Sequence, residues 1–403
     1  MTKKFSYLTP VVVLLSWVSL LTDVSSELLY PILPVYLKTI GYSFLYIGLL
    51  EGFADATAGL TKGYFGNLSD KMGKRVIFIR GGYSLSVIGK SLLILTQHVA
   101  GIFMARFTDR LGKGIRTSAR DAMLVSQTTK EKLASVFGFH RAMDTLGAVM
   151  GPIAALILLK FYPGQYKLIF IISIIPAVLS VLLTLLLKDE KTKHVESIDA
   201  KKTVGFFAYL KYWKNSTNAY KALVVPLLLF ALVNSTDAFL LLRVKEAGYS
   251  DSMMITCYIS YNLVYALLSF PIGIFADRIG RKTILCTGFI FFAIAYFGLG
   301  LAVSLSTFIF LFFTYAVFAA CNEAVAKALL SAQSEPKDRG TALGFYESGR
   351  SIASLIASTW TGLLWSMGKP ELAFNISAIT AVVVVILVFK LDRLKGLKGS
   401  HQS

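Results

Sequence analysis

The chain has 403 residues, 55% of them hydrophobic and only 16% charged, and its 41 Lys and Arg outnumber 23 Asp and Glu for a formal charge of +18. Soluble domains carry roughly 25% charged residues, so this composition excludes a soluble enzyme, a disordered scaffold and a secreted disulfide domain. Cys257, Cys286 and Cys321 lie far apart on apolar segments, with neither metal-ligand nor disulfide spacing, and a polytopic membrane protein remains.

A helix that crosses the hydrocarbon core needs about 20 mainly apolar residues. Met1 to Pro10 is short and basic, and no small-residue cleavage site interrupts the apolar run after it, so no signal peptide is expected. Six candidate spans follow in order, at 11–37, 43–66, 76–96, 99–126, 133–160 and 166–187. Lys188 to Lys221 is the one long polar stretch, a surface linker in which 203–213 has the composition of a segment lying in the membrane interface. Six more spans come after it, at 220–245, 251–275, 283–303, 306–332, 339–366 and 370–391. The predicted architecture is all-α and polytopic, with 12 transmembrane helices. A six-helix bundle over 1–187 and a linker over 188–219 precede a second bundle over 220–391 and a tail over 392–403.

Basic residues set the orientation. With the N-terminus inside, the cytoplasmic segments collect 25 Lys and Arg, eight of them linker lysines, and the opposite side holds five: Lys38, Lys160, Lys167, Lys245 and Lys369. Both termini are therefore expected on the cytoplasmic face of the inner (cytoplasmic) membrane, and the net charge needs no nucleic acid to explain it.

The two halves echo each other. Gly66-Asn-Leu-Ser-Asp70-Lys-Met-Gly73-Lys74-Arg75 follows the second span, and Gly273-Ile-Phe-Ala-Asp277-Arg-Ile-Gly280-Arg281-Lys282 follows the eighth, at an offset of 207. Gly41-Tyr42-Ser43 recurs as Gly248-Tyr249-Ser250, Gly138-Phe139 as Gly344-Phe345, and Thr22-Asp23 as Thr236-Asp237. Ordered echoes indicate duplication into two pseudo-symmetric bundles, an arrangement found mostly in transporters.

The doubled loop, Gly-x-x-(Ser/Ala)-Asp-(Arg/Lys)-x-Gly-(Arg/Lys)-(Arg/Lys), resembles the signature loop of the major facilitator superfamily, and the resemblance extends over the whole chain. It implies a gating element in each half, with Asp70 and Arg75 in the first and Asp277 and Arg281 in the second. Each Asp is expected to cap a neighbouring helix end and to pair with Arg, and a carboxylate is favoured at a helix N-terminus. Gly147-Ala-Val-Met-Gly151-Pro152-Ile-Ala-Ala155 is similar to the span-5 motif of antiporters, with Ala154 and Ala155 replacing two Gly. It reads equally as a kink for close helix packing.

With charges near the span ends counted with the loops, eleven bases and ten acids remain inside the spans, and each is costly unless paired or facing water. On that count spans 3, 6, 9 and 12 hold one charge, Lys90, which marks them as the outer, lipid-facing helices. Span 4 is the opposite case. Arg106, Asp109, Arg110, Lys113, Arg116, Arg120 and Asp121 fall within an arc of about 140° at helical pitch, with Gly112 outside it. Five basic groups against two acidic ones make a wall that favours an anion, unless Asp109, Asp121, Asp23 and Glu27 neutralise it in a static network.

The candidate substrate-binding residues are Asp23, Glu27, Arg106, Arg110, Lys113, Asp237, Glu323 and Lys327. The candidate proton carriers are His140 and Asp144, at i and i+4 on span 5, and the like-charged pair Glu51 and Asp55 on span 2. No metal cluster, nucleophile triad or phosphate-cradling loop is present in the sequence, so no catalytic or metal-binding residue is assigned and no cofactor beyond a proton gradient is expected.

The expected function is secondary transport by alternating access of a small anionic solute, a polycarboxylate such as a citrate-type siderophore or iron chelate. Its partners would be the solute and the bilayer, and the protein would act as a monomer. A proton-driven multidrug or cation exporter is one alternative. A receptor on a transporter scaffold that transports nothing is another.

Overall fold

The computed structural model describes residues 7–30, 32–42, 44–189, 205, 207–249 and 251–399, and every regular element among them is helical. The first span consists of α1 (Pro10–Leu29), with Thr9 accepting from the Val12 amide as its cap, and α2 (Ile32–Thr39). Next come α3 (Phe44–Met72), α4 (Val76–Leu95), α5 (Val99–Ser126), α6 (Leu133–Phe161) and α7 (Tyr166–Thr184). A short 3-10 turn at Ala208–Lys211 and α8 (Tyr212–Asn215) follow in the linker. The later spans are α9 (Asn218–Ala231) with α10 (Ala238–Glu246), then α11 (Asp251–Ile279), α12 (Arg281–Leu301), α13 (Leu305–Ala332), α14 (Arg339–Ser366) and α15 (Pro370–Gly399).

Eight of these helices are long and apolar enough to cross a membrane on their own. α3, α5 and α14, which carry charged and small polar residues, fall outside that count, and a break divides the seventh span.

Pro31, between α1 and α2, lies outside the described residues. Two elements differ from the sequence reading. The seventh span breaks over Leu232 to Asp237, where Asn234, Ser235, Thr236 and Asp237 favour turns over helix. The last helix runs on to Gly399, through most of the stretch expected as a tail. The expected interfacial segment at 203–213 is described only from 207 onward, apart from Gly205. There Tyr209 is buried, with its ring against Gly63 of α3.

The helices gather into two compact units. One comprises 1–129, 139–214 and 335–351, and the other 130–138, 215–334 and 352–403. The first turns of α6 and α14 thus belong to a different unit from the rest of each helix. In the first unit Leu28, Leu33, Tyr36, Leu93, Ile102 and Phe170 pack into an apolar core. In the second, Phe230 meets Phe289 at 4.7 Å and Phe292 at 4.8 Å between ring centroids. Large apolar side chains such as Ile175, Leu182, Ile294, Phe297, Ile379 and Val383 are exposed on α7, α12 and α15, as a lipid-facing surface requires. Lys90, the charge deepest within the outer helices, is only 2% exposed and points inward.

Candidate functional site

Within the first unit, α5 forms one wall of a cavity of about 350 Å³. Its Arg106, Asp109, Arg110, Lys113 and Arg116 face Asp23, Ser26 and Glu27 from α1, Asp55 from α3 and Lys90 from α4. Small residues let the helices close around this space, since a Cβ at Gly112 would lie 2.4 Å from the Gly82 carbonyl oxygen of α4. Asp23, Glu27, Arg106, Arg110 and Lys113 are thus brought together, and Asp55 joins them. The side chain of Glu51, one turn earlier on α3, lies outside the described residues.

Most of the cavity's charge is paired on the protein. Arg106 lies 3.5 Å from Asp109, and Arg110 lies 3.7 Å from Asp55. Lys90 donates to Ser25 Oγ at 2.7 Å and Ser26 Oγ at 3.0 Å. Arg116 donates to Ser86 Oγ at 2.6 Å, and its guanidinium carbon sits 4.4 Å from the Tyr83 ring centroid. The lining therefore holds five bases and four acids. The five-to-two ratio of α5 alone overstated the positive wall, because Asp23, Glu27 and Asp55 arrive from other helices. Lys90 went unselected for the site because it sits on a helix read as lipid-facing, whose other charge, Arg80, lies near its start.

Beside this cavity α1 packs on α6 through the antiporter-like motif. A Cβ at Gly147 would lie 2.6 Å from the Leu20 carbonyl oxygen, and one at Gly151 would lie 2.8 Å from Glu27 Cβ. The approach puts the Asp23 carboxyl within hydrogen-bonding reach of Asp144. Asp144 also accepts from the Ser19 hydroxyl and from Arg141 Nη1 at 2.8 Å. Arg120 donates to Ser19 Oγ at 3.0 Å and pairs with Asp121 at 2.9 Å. His140 is buried, and its Nδ1 lies 3.3 Å from Ser16 Oγ of α1. Arg141, Arg120, His140, Ser19 and Asp23 thus all act on the Asp144 carboxyl, and His140 Nδ1 also meets Ser16.

The doubled loops hold two helix N-termini. In the first unit, Asp70 Oδ2 accepts from the Thr341 amide at 2.6 Å and its hydroxyl at 3.0 Å, and Arg75 lies 3.7 Å from Oδ1. In the second, Asp277 accepts from the Ala134 amide at 3.1 Å, the Ser135 amide at 2.7 Å and the Ser135 hydroxyl at 2.6 Å. Arg281 pairs with Asp277 at 2.8 Å and also donates to the Lys130 carbonyl. The motif glycines at 73 and 280 have φ of +61° and +118°, a backbone that side chains resist.

Asp237, Glu323 and Lys327 lie in the second unit. Tyr315 donates to Asp237 at 2.7 Å and Tyr265 to Glu323 at 3.0 Å. Tyr261 stands between them, 5.2 Å from the Tyr315 ring and 6.1 Å from that of Tyr265. Sequence reasoning passed over this tyrosine row, although Tyr261 and Tyr265 are spaced one turn apart.

The profile of the Major Facilitator Superfamily matches residues 15–260 and again 244–402, and the chain belongs to that family. An uncharacterized MFS-type transporter of Methanocaldococcus jannaschii is 33% identical over 377 residues, 92% of each chain. The multidrug resistance protein MdtG of Citrobacter koseri is 26% identical over 284 residues, 67% of each chain. Among solved structures, the human organic anion transporter MFSD10 superposes with a TM-score of 0.81 at 16% identity, covering 94% of this chain and 100% of its own. The Escherichia coli fucose:proton symporter FucP gives 0.79 at 16% identity, covering 95% and 98%. At such identities the two structures speak for the fold alone. The protein is a multi-pass membrane transporter.

Proposed function

We propose that the chain is a proton-coupled secondary transporter for small charged organic solutes, with the solute held in the first unit's cavity and the proton held by Asp23 and Asp144. The carrying observation is the approach of these two carboxyls across the α1–α6 contact. Two carboxylates that close repel, and a hydrogen bond between them needs a proton in place. Gain or loss of that proton changes the charge beside Glu27 and the solute cavity, which is what coupling requires. This reading keeps Asp144 from the expected His140–Asp144 pair and adds Asp23, whose carboxyl approaches it.

The four acids in the cavity argue against a polycarboxylate, whose several negative groups would meet Asp23, Glu27, Asp55 and Asp109 as well as the bases. Kinship with MdtG supports outward movement. In this reading the protein sits in the inner membrane with both termini in the cytoplasm and works as a monomer.

The test uses proteoliposomes loaded with a pH-sensitive dye and challenged with solutes of each charge class. Asp23→Asn and Asp144→Asn should abolish accumulation driven by a pH gradient while sparing exchange of solute for solute. His140→Gln should retain both. Gradient-driven accumulation that survives in both Asp variants would overturn the assignment.

A further inference from the structure

Two groups in the first unit's cavity stand outside its internal pairing. Glu27 has one carboxylate oxygen, Oε2, buried without a hydrogen-bond partner. The Lys113 ammonium, on the facing wall, makes neither a hydrogen bond nor an ion pair among the described residues. They are close enough for each to feel the other's charge, yet they do not form a pair. The other cations are committed: Arg106 to Asp109, Arg110 to Asp55, Lys90 to two serines and Arg116 to Ser86 and Tyr83. A buried oxygen without a donor is costly, and so is an ammonium on a membrane helix that faces carboxylates without a direct ion pair. The cavity thus offers a solute an acceptor at Glu27 and a donor at Lys113.

We propose that this cavity selects zwitterionic organic solutes, with a cationic group on the Glu27 carboxylate and an anionic group on the Lys113 ammonium. A simple cation satisfies Glu27 and leaves Lys113 facing it, like charge to like. A simple anion reverses the fault. A dianion adds a second negative group next to Glu27 and Asp23. Only a solute bearing both charges answers both groups at once, and a volume of about 350 Å³ suits a small organic molecule. The inference rests on the transporter reading above and narrows its substrate class.

The full-length protein in detergent is titrated with ω-aminocarboxylates from 4-aminobutanoate to 8-aminooctanoate, a series whose charge separation grows one methylene at a time. The alkylamine and the alkanoate of matching length serve as singly charged controls. At least one aminocarboxylate should bind about tenfold or more tighter than either control, the size of a single charge-assisted contact. Glu27→Gln should erase the advantage over the alkanoate, and Lys113→Gln the advantage over the alkylamine, with ligand-free melting near that of the parent. Glu27→Asp retracts the carboxylate by one methylene and should move the preferred aminocarboxylate one methylene longer, so selectivity is tested even if Glu27→Gln folds poorly.

Equal binding of amine, alkanoate and aminocarboxylate would overturn the inference, as would variants that weaken all three classes alike. The same proteoliposomes separate this failure from the broader one. Proton-coupled movement of tetraphenylphosphonium or hexanoate, with no preference for aminocarboxylates, overturns the zwitterion site and leaves the transporter. Proton-coupled movement of no probe at all overturns both.

Discussion

Glu347 accepts from Lys62 Nζ at 3.0 Å and from Arg350 Nη2 at 2.9 Å, and its side chain is only 3% exposed. The Lys62 side chain is 10% exposed, so the pair sits away from water, whereas Arg350 at 39% can be hydrated. Removing one partner of a buried pair strands the other, at a cost of about 3–5 kcal/mol. Glu347→Gln should therefore lower the melting temperature in detergent markedly. Lys62→Met combined with Glu347→Leu should recover most of the loss, because apolar replacement of both partners is often neutral. Parental melting in Glu347→Gln would show that the pair holds nothing together. These residues were visible in the sequence only as two buried charges. A separation of 285 positions hides the partnership, and no local pattern encodes it. The same limit applies to Asp23 and Asp144, each of which was selected with a different companion on its own helix.

Among the elements, the α1–α6 contact ties packing to function most directly. At Gly147 and Gly151 an added methyl meets backbone atoms at 2.6 and 2.8 Å, which cannot swing aside as a side chain can. Gly151→Ala should cost about 1–3 kcal/mol through overpacking. By spreading the helices it should also weaken proton coupling more than solute binding, measured as gradient-driven uptake against equilibrium affinity. An unchanged ratio of the two would separate the motif from coupling. The α14 N-terminus makes a second case. Asp70 lies beyond the apolar part of α3, facing Arg75 from its own loop, Arg339 from α14 and Tyr212 from α8. Burial pushes its carboxyl up to about 7, against the opposing pull of Arg75 and of Thr341 and Gly340. A carboxyl free in water titrates near 3.9 (about that value in peptides). Closing this contact therefore takes up a proton, so closure is fully favoured below the free value and loses that support as the pH rises through about 7. Hydrogen exchange at the Thr341 and Ala342 amides, corrected for its intrinsic rate, should be slower at about pH 6 than at about pH 8, and Asp70→Asn should flatten the difference. Protection independent of pH in the parent would contradict it. Long apolar helices were legible because period and length alone specify them. The break after α9 was not, because an apolar average over 20 or so residues conceals a four-residue polar turn.

For the molecule as a whole, the distribution of Lys and Arg carries the prediction with the widest reach. Twelve spans and a five-to-one basic bias predict that the loops after α3, α5, α11 and α13 lie in the cytoplasm. One helix is enough to decide it. The 28 residues of α14 extend about 42 Å at 1.5 Å per residue, more than the roughly 30 Å of a hydrocarbon core, so its two ends lie on opposite sides of the membrane. Lys337, just before it, has a side chain 69% exposed, and Lys369, just after it, is exposed as well. The native thiols give little background, since Cys257, Cys286 and Cys321 are 2%, 2% and 3% exposed. In intact cells whose outer face has been made accessible, a membrane-impermeant maleimide should label Lys369→Cys and leave Lys337→Cys untouched. Opening the membrane should then expose Lys337→Cys. The reverse pattern would invert the protein and put its basic loops outside, and labelling of both positions in sealed cells would mean that α14 does not cross the membrane.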